Sequence, residues 1–286
     1  MLIVKKLIII CCLTLFWFSG CGFCQVNPAV SVQSSITPNS RIVTLAPHLT
    51  EWIYALQLEE QLVGVSAYSD YPAAANQKPV IADANGINFK ALVRLNPDLI
   101  LVWEGGNKSQ EIARLASLGF QLFRSSPKQL ADIGTEIYQL GQVLNEPDRA
   151  RKIQRQYATQ LASLREQYQS SPKLPVFFYL WTKPMMTIGE NAWANKALAV
   201  CNAQTIFVDS PNDYPEVRMA EVLIRQPRVL ITTLSSTAGG LELFWQPHRN
   251  ILSAPIVQVD GAIINRFTPR ITSEIASLCE SLRAWR

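Results

Sequence analysis

A stretch of about two dozen residues beginning near Pro147 carries apolar side chains at spacings of three and four: Ala150, Ile153, Tyr157, Leu161, Leu164 and Tyr168. Arg, Lys, Gln and Glu fill the positions between them. The pattern predicts one long amphipathic helix, closed where Ser170, Ser171 and Pro172 forbid continuation. At 1.5 Å per residue such a helix reaches about 35 Å, the width of a small domain. Whatever lies on either side of it is therefore held apart by a rigid strut.

Both flanks read as alternating strand and helix. Short aliphatic runs at Ile42 to Leu45, Val63 to Val65, Leu99 to Val102 and Gln121 to Phe123 precede the strut, and Val176 to Leu180, Val229 to Thr233 and Ile256 to Val259 follow it. Ser126-Pro127 predicts the start of a further helix, with Ser as cap and Pro at the first helical position, and Leu130, Ile133, Ile137, Leu140 and Leu144 as its stripe. The two flanks also echo each other. Ala91 to Leu101 and Glu221 to Ile231 share a short apolar helix, a turn ending in Pro97 or Pro227, and an aliphatic strand. The fold class is α/β, with two Rossmann-like lobes, a central cleft and one long bridging helix. The expected organisation is an N-terminal lobe over 41–145, a bridge over 146–171 and a C-terminal lobe over 172–286. Ligands of such proteins bind where strand ends from both lobes face the cleft.

The N-terminus reads as an address. Lys5 and Lys6 precede an apolar stretch from Leu7 to Phe18, then Ser19, Gly20 and Cys21, the layout of a secretory signal over 1–24. Phe18 to Cys21 reads as a lipobox ending in a lipidated Cys21, or Gly22-Phe23-Cys24 as an ordinary cleavage site. Residues 25–40, rich in Ser, Pro, Val and Asn, read as a flexible spacer. The expected location is the periplasm, free or lipid-anchored. Only Cys201 and Cys279 remain in the body, and an isolated pair in an oxidising compartment reads as a disulfide, with two buried thiols as the alternative.

Composition narrows the chemistry. A net charge of +4, from 26 basic against 22 acidic residues, is too small for a nucleic-acid binder. With two histidines, His48 and His248, a three-histidine zinc site is impossible, and no metal site is expected. No GxGxxG, GxxxxGK[ST], GxSxG or HExxH pattern occurs, so the chain reads as a binding protein rather than an enzyme. His48 follows the first strand and could face the cleft, or serve structure alone. The positive signal is aromatic: Tyr68 to Pro72, Trp103 with Gly105-Gly106-Asn107, Trp181, Trp193 and Tyr214 all follow or lie near strand ends. Such a set suits a large flat ligand, whereas each ring singly is as readily explained by packing beneath its own loop. Gly105 permits a close backbone approach to a ligand, or a turn.

At these residues the chain resembles the helical-backbone metal-receptor class of solute-binding proteins, and within it the periplasmic cobalamin binders of bacterial ABC importers. The similarity runs from about Arg41 to the C-terminus. It is carried by Val63-Gly64-Val65-Ser66-Ala67-Tyr68-Ser69-Asp70-Tyr71-Pro72, by Pro97-Asp98-Leu99-Ile100 leading to Trp103 and Gly105-Gly106-Asn107, by Leu115 to Gly119, and by Arg266 with Pro269-Arg270. Cys201 and Cys279 fall where those binders have a disulfide. The resemblance implies a corrinoid, cobalamin or a relative, as transported ligand rather than cofactor. It also implies a monomer that delivers the ligand to the permease of an ABC transporter. Tyr68 would pack on the corrin, Trp103 and Gly105 would line the first-lobe wall, and Arg266 would hydrogen-bond peripheral amides. Tyr214 stands where the family has Trp, while Ala84 and Met186 replace a Trp and a Phe, with Trp181 and Trp193 available to rebuild the wall. The family docks its permease through one glutamate per lobe, seven residues before each Pro. Lys90 and Ala220 occupy those positions, and Glu221, beside the second, points about 100° away along a helix. A haem or ferric-siderophore receptor of the same fold, with His48 or Tyr68 as an axial ligand for haem, is the alternative. So is an envelope accessory protein without transport function.

Overall fold

The structure, a computed structural model, describes residues 36, 37, 39–235 and 240–286. The expected leader with Cys21, and the spacer up to residue 35, lie outside the described residues. In the first half, β1 (Ile42–Thr44), α1 (Pro47–Ala55), β2 (Leu62–Ser66), β3 (Val80–Asp83), β4 (Gly86–Ile87), α2 (Phe89–Leu95), β5 (Leu99–Trp103), α3 (Ser109–Ser117) and β6 (Leu122–Ser125) follow in turn. Two helices then run back to back, α4 (Leu130–Val143) and α5 (Pro147–Tyr168). The second half comprises β7 (Leu174–Thr182), β8 (Met185–Thr187), α6 (Trp193–Val200), β9 (Ala203–Thr205), α7 (Met219–Arg225), β10 (Val229–Thr232), α8 (Gly240–Trp245), β11 (Ile256–Gln258), α9 (Gly261–Ile264) and α10 (Ile271–Arg283).

The strands form two sheets. The first has the order β4-β3-β2-β1-β5-β6, parallel except for β4, and the second has β11-β10-β7-β8, with β9 also paired to β7. Continuous aliphatic runs suit strands covered on both faces. Ile42, Leu99 and Leu101 of the first sheet, with Val176, Phe178, Val229 and Ile231 of the second, join α4, α5 and α10 in one apolar core that spans both lobes. Their neighbours in sequence point the other way, Val43, Ile100 and Val102 into one outer cluster and Phe177, Tyr179 and Leu230 into another.

The strut, α5, lies against α4. Gly141 lets the two helices approach closely: a Cβ there would stand 2.2 Å from the Ala150 Cβ. Tyr157, buried, donates its hydroxyl to the Leu130 carbonyl at 2.6 Å, tying mid-α5 to the start of α4. That start differs from the expected one. Ser126 and Pro127 belong to the lead-in, and the helix begins at Leu130 because Asp132 accepts from the amides of Lys128 and Gln129, at 2.8 and 2.7 Å. A carboxylate that reaches back to these free N–H groups outweighs the Ser-Pro signal.

The internal repeat is present in the structure. Helices α2 and α7 each have seven residues and end on a left-handed residue, Asn96 at φ 43° and Gln226 at φ 48°. Beyond the proline, Asp98 donates to the Arg41 carbonyl and Arg228 to the Pro175 carbonyl, both at 2.9 Å. Strands β5 and β10 then pair in parallel with β1 and β7. Cys201, capping α6, is bonded to Cys279 in α10, which makes the pair a disulfide and removes the free-thiol alternative.

Candidate functional site

The carboxyl ends of β1, β2, β5 and β7, strand β8, the start of α6, the loop between β9 and α7 and the segment between α9 and α10 supply the side chains expected at the site. At their centre is a residue that the sequence reading passed over, Phe267. Its ring meets Trp103 at 5.3 Å and His48 at 5.1 Å from the first lobe and Trp193 at 4.4 Å from the second, all edge-on. Its carbonyl accepts from Trp52 Nε1 at 2.8 Å. These five rings form an aromatic floor that crosses from lobe to lobe.

Trp103 is half-buried in this floor. Asn107 accepts from the Trp103 amide and donates to the Leu45 carbonyl, both at 2.8 Å, so the ends of β5 and β1 are fixed together. The ring folds back over the following turn. A Cβ at Gly106 would lie 2.0 Å from it and one at Gly105 2.7 Å from its Nε1. The glycines thus make room for Trp103 itself, whose ring fills the space beside Gly105. Trp193 opens α6 and is buried, donating Nε1 to the Ile264 carbonyl at 3.0 Å beneath the floor.

Other rings are open. Tyr68 is 80% exposed, Trp181 59% and Tyr214 50%. Trp181 sits opposite Met186 across the β7–β8 hairpin. The Tyr214 loop is stitched to the same edge, Gly189 donating to Asp213 at 2.8 Å and Thr187 to Pro215 at 3.0 Å. The second lobe therefore brings Trp181, Met186 and Tyr214 together. Tyr68, in the first lobe, has φ 63°, a left-handed conformation that costs a non-glycine residue about 1 kcal/mol. Ser66 and Ser69 on either side are buried and linked by hydroxyl contacts to Thr50 and Thr44.

Charge is concentrated at the seam. Arg266 Nη1 binds Asp70 Oδ1 at 2.7 Å and Glu51 Oε1 at 3.1 Å, while Nη2 donates to the Tyr68 carbonyl at 3.0 Å. Arg270 grips Glu51 through Nε and Nη2 at 2.8 and 2.6 Å, with its guanidinium 3.6 Å above the Tyr71 ring. The hydrogen bond from Arg266 holds the Asp70 carboxyl below its usual range, so it is ionised at neutral pH. With its side chain 13% exposed, Arg266 is committed to these protein partners. Glu51, Asp70 and Arg270 as a set escaped the sequence reading, since an acid of α1 and one of the loop after β2 meet arginines some 200 positions away.

His48 is buried beneath Trp103, with Nε2 3.3 Å from Ser125 Oγ, and Ser125 donates to Glu136 at 2.6 Å. Burial, assisted by Arg266, lowers its pKa to about 3. At 3% exposure the imidazole is enclosed by the rings of Trp52, Trp103 and Phe267. Among the described residues no group of three or more His, Cys, Asp or Glu side chains could hold a metal ion, and no helix is long and apolar enough to cross a membrane. Lys90 and Ala220 are the second residues of α2 and α7, at equivalent places. Glu221 is engaged by Arg218, through Nη2 at 3.1 Å and the backbone amide at 3.3 Å, as a helix cap.

Comparisons with known proteins agree with this architecture. A family model described as "Periplasmic binding protein" matches residues 42–244. The vitamin B12-binding protein of Vibrio cholerae is 34% identical over 268 residues, covering 92% of this chain and 96% of the relative. That of Yersinia pestis is 32% identical over 243 residues, covering 85% and 86%. The crystal structure of the periplasmic vitamin B12 binding protein of Vibrio cholerae superposes with a TM-score of 0.78 at 32% identity, covering 86% of this chain and 98% of that one. A periplasmic heme-binding protein from Roseiflexus has a TM-score of 0.74 at 22% identity over 86% and 98% of the two chains, a likeness of fold alone.

Proposed function

The chain belongs to the periplasmic binding protein family, and from that premise we propose that it captures cobalamin or a related corrinoid between its lobes and hands it to an ABC importer. The observation that carries this reading is the set of rings left open on both lobes. Tyr68 projects from the first lobe, and Trp181 and Tyr214 from the second, around a floor already closed by Phe267. Rings of this size held by fixed backbones suit a flat macrocycle, because little side-chain freedom is lost when it enters.

Tyr68, Trp181, Met186 and Tyr214 contact the corrinoid in this reading. Trp103 touches it through its exposed part, and Trp193 and Gly105 act from beneath. Arg266 acts through the residues it holds. The work is done in the periplasm, after removal of residues 1–24 by ordinary cleavage or after a cut just before Cys21, which is then the lipid-bearing anchor. Docking on the permease uses the lobe ends that carry α2 and α7. Lys90 offers a positive charge there and Glu221 is partly neutralised by Arg218, so the matching permease surface differs from one built to receive two free acids.

Calorimetric titration of the protein lacking residues 1–24 with cyanocobalamin, and with haemin in parallel, tests the reading. Saturable one-to-one binding of cyanocobalamin, with none of haemin, is expected. Binding of haemin alone would overturn it in favour of a Tyr68-ligated haem receptor.

A further inference from the structure

We infer that Asp70, working through Arg266 of the opposite lobe, is a positioning residue that fixes the Tyr68 backbone and so aims the ring that receives the ligand. The inference rests on the corrinoid reading for its ligand, but not for its mechanism.

Tyr68 stands in a left-handed conformation with an exposed ring, so packing of the ring cannot hold it there. Its backbone must be held at its flanks. On the N-terminal side Ala67 donates its amide to the Ala82 carbonyl at 2.7 Å. On the C-terminal side Ser69 donates its amide to the Ser66 carbonyl at 3.3 Å, Thr50 donates to the Ser69 hydroxyl at 3.0 Å, and the carbonyl of the same peptide unit, that of Tyr68, accepts from Arg266 Nη2 at 3.0 Å. This last bond comes from across the molecule, and the planar guanidinium can make it only while its other nitrogen is anchored. Asp70 provides that anchor at 2.7 Å, two residues beyond the carbonyl being held. Glu51 provides less, at 3.1 Å and shared with the tighter Arg270 contacts. Arg266, Asp70 and Tyr68 thus close a ring of contacts with the two lobes on opposite sides. Loss of the Asp70 charge leaves Arg266 with one shared anchor, and Tyr68 is free to leave the left-handed region.

Three variants and one double variant test this. Asp70→Asn lowers cyanocobalamin affinity about tenfold in the natural background but less than twofold beside Tyr68→Ala, because the effect travels through that ring. Equal losses in both backgrounds, or none in either, would overturn the inference. In the ligand-free protein, backbone amide exchange over 67–70 accelerates about tenfold in Asp70→Asn and in Arg266→Met. Arg266→Lys, which keeps the charge near Asp70 but lacks the second nitrogen, accelerates it as well. Unchanged exchange in Asp70→Asn, or full protection in Arg266→Lys, would refute the latch. Should the natural protein bind no cyanocobalamin, the corrinoid reading fails while exchange still decides the latch.

Discussion

In the first lobe, helix α2 ends at Asn96 and feeds β5; in the second, α7 ends at Gln226 and feeds β10, through the same turn and the same 2.9 Å backbone bond. The repeated units match, yet the sheets around them and the sites they carry do not. The first lobe presents Tyr68 on a tight loop braced by buried hydroxyls, whereas the second presents Trp181 and Tyr214 on a nine-residue strand, β7, and the hairpin and loop beside it. The duplicated unit sets where a cleft can be, and elements outside it decide what the cleft receives.

The two lobes meet at Phe267, so the comparison breaks most completely there. Phe267→Ala is expected to destabilise the protein by about 3–4 kcal/mol in urea, since rings from both lobes lose their common neighbour. A loss below about 1 kcal/mol would mean that each lobe packs its own floor. The disulfide belongs to the second lobe alone. Replacing Cys201 and Cys279 with Ser should cost about 2–4 kcal/mol of stability and leave affinity within twofold. The wall rings then compare the lobes as binders: Tyr68→Ala and Trp181→Ala should each weaken cyanocobalamin binding by about 1–3 kcal/mol in calorimetry. An effect confined to one of them would assign the ligand to one lobe.

The pH dependence turns on the first lobe's buried histidine. Its folded pKa, about 3, lies below the unfolded value of 6.5, so the unfolded chain binds the extra proton between those values. The stability from neutral His48 is complete above pH 6.5 and is lost as the pH falls toward 3, by at most about 1.4 kcal/mol per pH unit. His48→Gln should flatten the fall in melting temperature between pH 6 and 4. An unchanged slope would show that other groups govern acid sensitivity.

Periodicity made the strut, the parallel strands and the repeat legible, because each depends on neighbours within a few residues. Leu99 to Val102 can only be a covered strand, and the α5 stripe can only be a long helix. The start of α4 was misread because two amides found a carboxylate at Asp132, a competition that the Ser-Pro pair does not reveal. Phe267 and the Glu51–Arg270 pairing were invisible for a stronger reason. Their partners lie from 74 to 219 positions away, and no local pattern says which loops will meet. The burial of Trp193 was not legible either, since residue type alone does not tell a ring that lines a cavity from one that supports it.

The apolar core that runs from Ile42 through α4 and α5 to Ile231 and Leu278 makes this molecule hard to divide. Two α/β halves that share a repeated unit would suggest modules that could be expressed apart, exchanged or melted one after the other. Here each half would expose the face it shares with its twin. Duplication has supplied symmetry without independence, and the chain should unfold in one calorimetric transition and tolerate no cut at the strut.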